Sequence, residues 1–526
     1  MYIMKKILYK LLILSMVVGA VSCQDMESVN TDPNNPAGVP SNMVMAGAEK
    51  KIMDYVYDNW FSGRQSLVYS QYWCQRNYTE EDRYQIRESV NNNYFNQLYT
   101  CQANLTKVIK LNSDPATALA MAKYGNNKNQ IAAAKILKTW LYQVMTDTWG
   151  SIPYTEASKL DEGIYYPKYD DQTEIYKAMI KELTDAAAMI DVKEKAFLGG
   201  DRIFDGDALK WKKFANSLKC RLAIHVSKVD PNWKNYIAEA LANGVFESNK
   251  DNAVYTYSKT APEQCNFYRG YFEDMRNDFT ISRPFMDILK GQTDTLNAKS
   301  HPWAGVQDPR LPIYTTSPDS IGMPLGIPSS SVESGMRTAA PNWKKNPPLC
   351  LNADFSVPLM TYAELQFILS EYNGFSVKEY KDGVRASIEY WSGLNGTTVG
   401  DAQMNTYIAA VSNNVNAEKV ALQKYIDLYM NGTEAWVEYR RTGYPVQLLK
   451  PNEISCISGG ETLKFTTLSE TKGDLISRVK YPTNESTLNK EAFDAAVSKL
   501  QDKTNNYYSK MFWDVRTSTN QHPANK

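Results

Sequence analysis

The chain has 526 residues, and its 58 Lys and Arg balance 58 Asp and Glu, so the formal charge is zero. That balance, with no long run of like charge, excludes an electrostatic binder of nucleic acid. The length exceeds what one hydrophobic core usually serves, so a large helical array or two closely packed lobes are expected.

The first segment carries Lys5, Lys6 and Lys10, then an apolar stretch over residues 7–21, then Ala20-Val21-Ser22-Cys23. A charged start, a short apolar run and small residues at a boundary form an export signal. The run falls short of the roughly 20 apolar residues that span a bilayer. Because it closes on Cys, it resembles a bacterial lipoprotein signal, in which that thiol receives a diacylglycerol and becomes the new N-terminus. Residues 1–22 are therefore expected to be removed and Cys23 to be lipidated. Buried acyl chains contribute roughly 0.8 kcal/mol per methylene, so two or more hold a protein firmly at a membrane. Residues 23–40, with Asp32-Pro33-Asn34-Asn35-Pro36, read as lipidated Cys and flexible tether. Residues 41–526 read as one helical binding domain.

Within it, Ile131, Ala134, Leu137, Leu141, Met145 and Thr148 repeat at three and four over residues 129–149, and Gly150 and Pro153 stop the helix. Asp171 and Glu174 open another, striped by Tyr176, Met179, Ile180, Leu183, Ala187 and Ile190. Trp211, Ala215, Leu218, Leu222 and Val226 stripe a third. Thr361 and Glu364 form a capping box, in which hydroxyl and carboxylate each satisfy a backbone N–H. A helix over residues 434–441 starts behind Thr433, and Arg440 and Arg441 suit the negative end of its dipole. Paired helices with short turns predict degenerate tetratricopeptide-like repeats, without a clean period.

The exception is residues 291–358, which hold ten of the 23 prolines. With Trp303, Tyr314 and Trp343, this loop-rich insertion lines a ligand site or forms a rigid excursion. Tyr (35) outnumbers Phe (16), which suits half-wet binding surfaces, although helix packing accounts for most of the rings. Six cysteines besides Cys23 form no C-x-x-C pair and are expected as buried free thiols.

Catalytic patterns are missing. The only histidines are His225, His301 and His522, which leaves no H-E-x-x-H and no His-rich metal site. Neither a G-x-S-x-G elbow nor a phosphate-binding loop is present. A glycosidase carboxylate pair is not excluded by counting, but few strands are predicted to carry one. The expectation is no enzyme, no cofactor and no metal.

Several segments together resemble the SusD/RagB family of outer-membrane nutrient-binding lipoproteins. They are residues 32–36, residues 132–138 with Thr146-Asp147-Thr148-Trp149-Gly150-Ser151-Ile152-Pro153-Tyr154, residues 211–223, Asp308-Pro309-Arg310-Leu311-Pro312, and residues 360–371. Trp436 to Pro445, with Glu438, Arg440, Arg441, Thr442 and Gly443, and Tyr481-Pro482 with Glu485 and Asn489 complete the set. The resemblance implies an all-α (mostly) SusD-like fold of four tetratricopeptide-like helix pairs, with the insertions forming one lobe. It implies a non-catalytic protein facing the cell exterior, anchored in the outer membrane through its lipid. Its partner would be a SusC-like TonB-dependent transporter, and its cargo a nutrient oligosaccharide. An oligopeptide, as in RagB-like members, is the alternative, and a glycoside hydrolase a further one. Residues 24–27, Gln-Asp-Met-Glu, are similar to the family's surface-export signal.

The motifs themselves read as fold determinants, with Asn216 and Arg221 satisfying buried backbone. Ligand residues in this family lie on variable loops, so the candidates come from position and chemistry. Trp73, Arg76, Tyr78 and Tyr84 combine rings with planar polar groups. Tyr268, Arg269, Tyr271 and Trp303 are their expected partners across a cleft, with helix packing the competing role for each.

Overall fold

The structure is a computed structural model that describes residues 38–333, 336 and 352–516. The expectations for Cys23, the signal, most of the tether, Trp343, Cys350 and His522 lie outside the described residues.

Helices dominate. In chain order the principal ones are α1 (Ser41–Val56), α2 (Glu88–Ser113), α3 (Asn127–Trp149), α4 (Gln172–Met189), α5 (Ala208–His225) and α6 (Trp233–Ala242). They continue with α7 (Arg283–Lys290), α8 (Tyr362–Tyr372), α9 (Val377–Leu394), α10 (Asp401–Val411), α11 (Ala417–Asp427), α12 (Gly432–Thr442) and α13 (Lys490–Val497). Side-chain caps set several starts. Asn126, Asp171, Asp207, Thr361 and Asn431 accept from the N–H groups of Asn129, Thr173, Lys210, Glu364 and Glu434, each cap worth about 1 kcal/mol. The start of α12 thus lies earlier than the sequence suggested, with Asn431 capping in place of Thr433. Gly150 and Gly443 close α3 and α12 at positive φ, 89° and 81°, where a side chain would be strained.

Consecutive helices α1 through α6 pack each on the next. The later helices fold back on this array: α8 packs on α9, α11 and α5, and α12 on α3. This is the expected arrangement of helix pairs. Strands are short and, among the described residues, form three antiparallel pairs. These are β1 (Trp73–Gln75) with β3 (Phe279–Ile281), β2 (Ala253–Thr256) with β4 (Ser356–Met360), and β5 (Ile454–Ser458) with β6 (Glu461–Lys464). The β1–β3 pair sets Gln75 opposite Phe279 and draws the chain after α1 against residues 266–281. No helix among the described residues is long and apolar enough to cross a membrane.

Aromatic residues build the core. Trp73, Trp140, Trp149, Trp211, Trp391, Trp436 and Trp513 are fully buried. Tyr72, Phe285, Tyr314, Trp391, Tyr425 and Tyr429 stack into one cluster, with Tyr314 and Tyr429 centroids 4.3 Å apart. The tyrosine excess is thus largely packing. Cys74, Cys101, Cys220 and Cys456 are buried free thiols, as expected, and Cys265 is buried and in no disulfide.

Several motif residues converge on a buried polar network. Arg221 grips Glu364 through Nε and Nη2, both at 2.6 Å, and donates to the Leu359 carbonyl at 2.8 Å. Only half of the capping box forms, because Arg221 has claimed the Glu364 carboxylate. His225 Nε2 lies 2.8 Å from Glu434, while Arg441 pairs with both Glu371 and Glu438. Arg440 donates to the Trp436, Asp147 and Ser477 carbonyls. The two arginines are structural, but through these buried partners and not chiefly through the helix dipole. Asn216 donates to the Asn243 and Gly244 carbonyls, the backbone role expected of it. Burial opposes ionisation of Glu438, yet Arg441 and Lys424 outweigh it and hold its carboxyl down at about 2. Glu434 is likewise held well below the usual range by His225 and Arg221 against its burial.

Candidate functional site

The chain leaves α1 through a turn locked by its own residues. Asp58 Oδ1 accepts from the N–H groups of Phe61 and Ser62 at 2.7 and 2.8 Å, which starts a short helix whose residues Ser62–Ser66 form a turn of π-helix. Across from it, Arg269–Glu273 form a second π turn. Such turns are rare and concentrate at functional sites. The two segments interlock: Asn59 Nδ2 donates to the Asn266 carbonyl at 2.8 Å, and Asn266 Nδ2 to the Asp54 carbonyl at 2.6 Å. Gly270 permits this approach, since a Cβ there would lie 2.1 Å from Asn59 Nδ2.

Between the segments and along α1 runs an open cleft of about 790 Å³. Tyr55 and Trp60 supply its rings. Lys50, Lys51, Arg202 and Arg269 face it together with Asp54, Asp58, Glu263 and Asp274, and Asn59 and Asn93 add amides. A smaller hollow of about 240 Å³ shares Tyr55, Asp58, Trp60 and Asn93 and extends the cleft towards α2. Trp60 is 47% exposed, the one Trp among the large exposed apolar residues described.

Much of the charge is already paired. Lys50 bonds Asp54, and Arg202 lies 3.4 Å from Glu263. Burial raises the Asp54 carboxyl despite Lys50, and burial pushes Asp58 up to about 7 against its backbone donors. Rings beside fixed, planar hydrogen-bonding groups in a wet cleft suit a hydroxyl-rich ligand: a ring takes the apolar face of a sugar while amides and carboxylates take its hydroxyls.

The residues singled out from sequence distribute differently. Trp73 is 0% exposed, with Nε1 donating to Tyr429 Oη at 3.1 Å and the ring against Phe267 and Phe279. Tyr84 is 1% exposed and packs on Tyr69 and Phe465. Trp303 is 4% exposed beside His301. These three rings present no open platform, because the fold uses them as core. Tyr78 is exposed and Arg76 half-buried on the loop after β1, outside the cleft lining. Tyr268 and Tyr271 are half-buried and pack against Phe272. Arg269 alone of the eight lines the cleft. The described part of residues 291–358 contributes nothing to that lining, and Tyr314 is core, so there the insertion behaves as a packed excursion. Trp60, the principal ring, was missed. Its signal was the Tyr55–Trp60 cluster of aromatic, acidic and amide residues ending α1, outside every family-like motif.

His225, Glu434 and Glu438 place one ligand atom each within 4.8 Å of one another. Lys424 lies 3.1 Å from Glu438 and Arg221 3.8 Å from Glu434. The buried carboxylates are thus already neutralised by cations, and the donor set does not suit a metal ion.

Residues 33–462 match a SusD-like family model described as starch-binding, associating with the outer membrane. The fold is similar to a solved chitin-binding protein (24% identity, 90% of this chain and 100% of that one, TM-score 0.70). It is also similar to a SusD homologue from Parabacteroides distasonis (20%, 92% and 99%, TM-score 0.73). A chitin-binding SusD homologue from Flavobacterium johnsoniae aligns as well (21%, 90% and 99%, TM-score 0.67). No curated protein matches the chain.

Proposed function

The chain belongs to the SusD-like family, and from that premise we propose that it captures a nutrient oligosaccharide at the cell surface and passes it, without catalysis, to a SusC-like TonB-dependent transporter. The observation that carries this reading is the Trp60 cleft, a half-exposed ring among fixed amides and carboxylates. The names of two structural relatives, both chitin-binding, support a glycan. So does the pairing of the cleft's charges, because an uncharged sugar bonds to paired groups without breaking them. Removal of residues 1–22 and lipidation at Cys23 would anchor the protein, and the tether would keep it at high effective concentration above its barrel. Replacing Cys23 by Ala should leave glycan binding intact and abolish uptake.

Calorimetric titration against chitohexaose, maltohexaose, cellohexaose, xylohexaose and mannohexaose tests the capture step. At least one should bind, and W60A should weaken it; silence across the panel at millimolar concentration contradicts the reading. The alternating charges of the cleft also favour a second occupant, an oligopeptide with charged termini. Peptides co-purifying with the protein would move the assignment there.

A further inference from the structure

Trp60 sits at the tip of a turn, where a large exposed ring is ordinarily free to change rotamer. Here one residue reaches under it from three directions. The Arg64 guanidinium carbon lies 4.3 Å from the Trp60 ring centroid. Its Nη1 donates to the Asn59 carbonyl at 2.8 Å, fixing the backbone next to Trp60, and its Nη2 donates to Asp278 Oδ2 at 2.7 Å. Glu81 adds a contact 3.5 Å from Nε, and Arg87 braces Glu81 at 2.7 Å while standing 6.0 Å from the Trp60 ring. Arg64 is only 4% exposed, so solvent does not compete for these bonds. The turn beneath is equally constrained: a Cβ on Gly63 would lie 2.7 Å from the Phe279 ring, so Gly63 lets the turn press against β3.

We infer that Arg64 is a positioning residue, which holds the Trp60 ring as a pre-set stacking platform for ligand. The inference rests on the reading of the cleft as a glycan site and adds what makes its ring productive. A planar fork is required, because one group must bridge the Asn59 carbonyl to Asp278 while offering a flat face to the indole. A lysine ammonium has the charge but neither the fork nor the face. Fixing the ring before binding removes its ordering cost from the binding step. The arrangement also explains why the platform lies beside the β1–β3 pair: that pairing delivers Asp278 to the Arg64 fork.

A double-mutant cycle separates this role from plain stabilisation. With the tightest-binding hexasaccharide of the panel, R64K should weaken binding by about 3- to 10-fold in the wild-type background, as expected for loss of preorganisation at a stacking contact. In the W60A background the same change should cost less than about 2-fold, since no platform remains to position. An equal factor in both backgrounds, or none in the first, overturns the inference. Wild-type affinity in W60A overturns the site reading as well. A ligand-free readout runs beside the cycle. In fluorotryptophan-labelled protein, the resonance missing from W60F should shift or broaden in R64K, and an unchanged line is an adverse result. If R64K does not fold, D278N frees the far end of the fork, and the same cycle and resonance apply to it.

Discussion

Two regions of this molecule hold dense polar chemistry, and they treat it in opposite ways. The network around Arg221, His225, Glu434 and Glu438 is sealed, and nearly every charge in it faces an opposite charge at hydrogen-bond distance. The cleft at Trp60 is open, its ion pairs are partly solvated, and its principal ring is half bare. Family-like motifs supply Arg221, Glu364, Glu438 and Arg441 to the first region, and none of them lines the second. The sequence signatures in the first region serve helix packing, while the proposed recognition cleft is built on turns outside them.

That contrast breaks first at the core. W73A should cost about 3–5 kcal/mol, the price of deleting a buried aromatic, seen as a lower urea midpoint; a folded, equally stable W73A with weakened glycan binding would return Trp73 to the ligand. R221M should cost a similar amount, about 3–5 kcal/mol, by leaving Glu364 with a buried, unpaired charge, while any protein that remains folded keeps its affinity.

Acid is the next lever. Glu434 and Glu438 have carboxyls depressed below their ordinary 4.5 in the folded state. Their contribution is therefore present above about pH 4.5 and lost as pH falls towards about 2, because the unfolded chain takes up protons first. Asp58 and Asp427, raised to about 7 and about 6, act with the opposite sign at higher pH, so the comparison is with E438Q. The stability gap between wild type and E438Q should close as pH drops through that window. A gap that stays constant would show that Glu438 is not held ionised.

W60A should lose about 10-fold or more in glycan affinity, about 1.4 kcal/mol, with its unfolding midpoint nearly unmoved. The smallest effect is expected at Tyr165 and Tyr166, exposed and outside the cleft. Alanine at either should shift stability by no more than about 0.5 kcal/mol and leave affinity unchanged. A loss of binding there would place a second platform on that loop.

The helices were legible because periodic apolar positions and their caps are local: Asp171 and Thr361 do what the sequence suggested. Arg221 was legible as a buried structural residue, although its partner Glu364, 143 positions away, was read as part of a cap. The site was less legible, since exposure is a tertiary property. Trp73 and Trp60 are both aromatic residues near polar neighbours in the sequence, and tertiary packing encloses Trp73 on β1 while leaving Trp60 exposed on its turn. Arg269 does line the cleft, as a charged residue on a turn seldom packs inside.

The most direct test is hydrogen–deuterium exchange of the protein with and without its bound hexasaccharide. The two-region account requires protection over residues 54–64 and 266–274, with no change over residues 211–225 and 432–442. Protection confined to the loop after β1 or to the insertion, with the α1 turn unaffected, would contradict it.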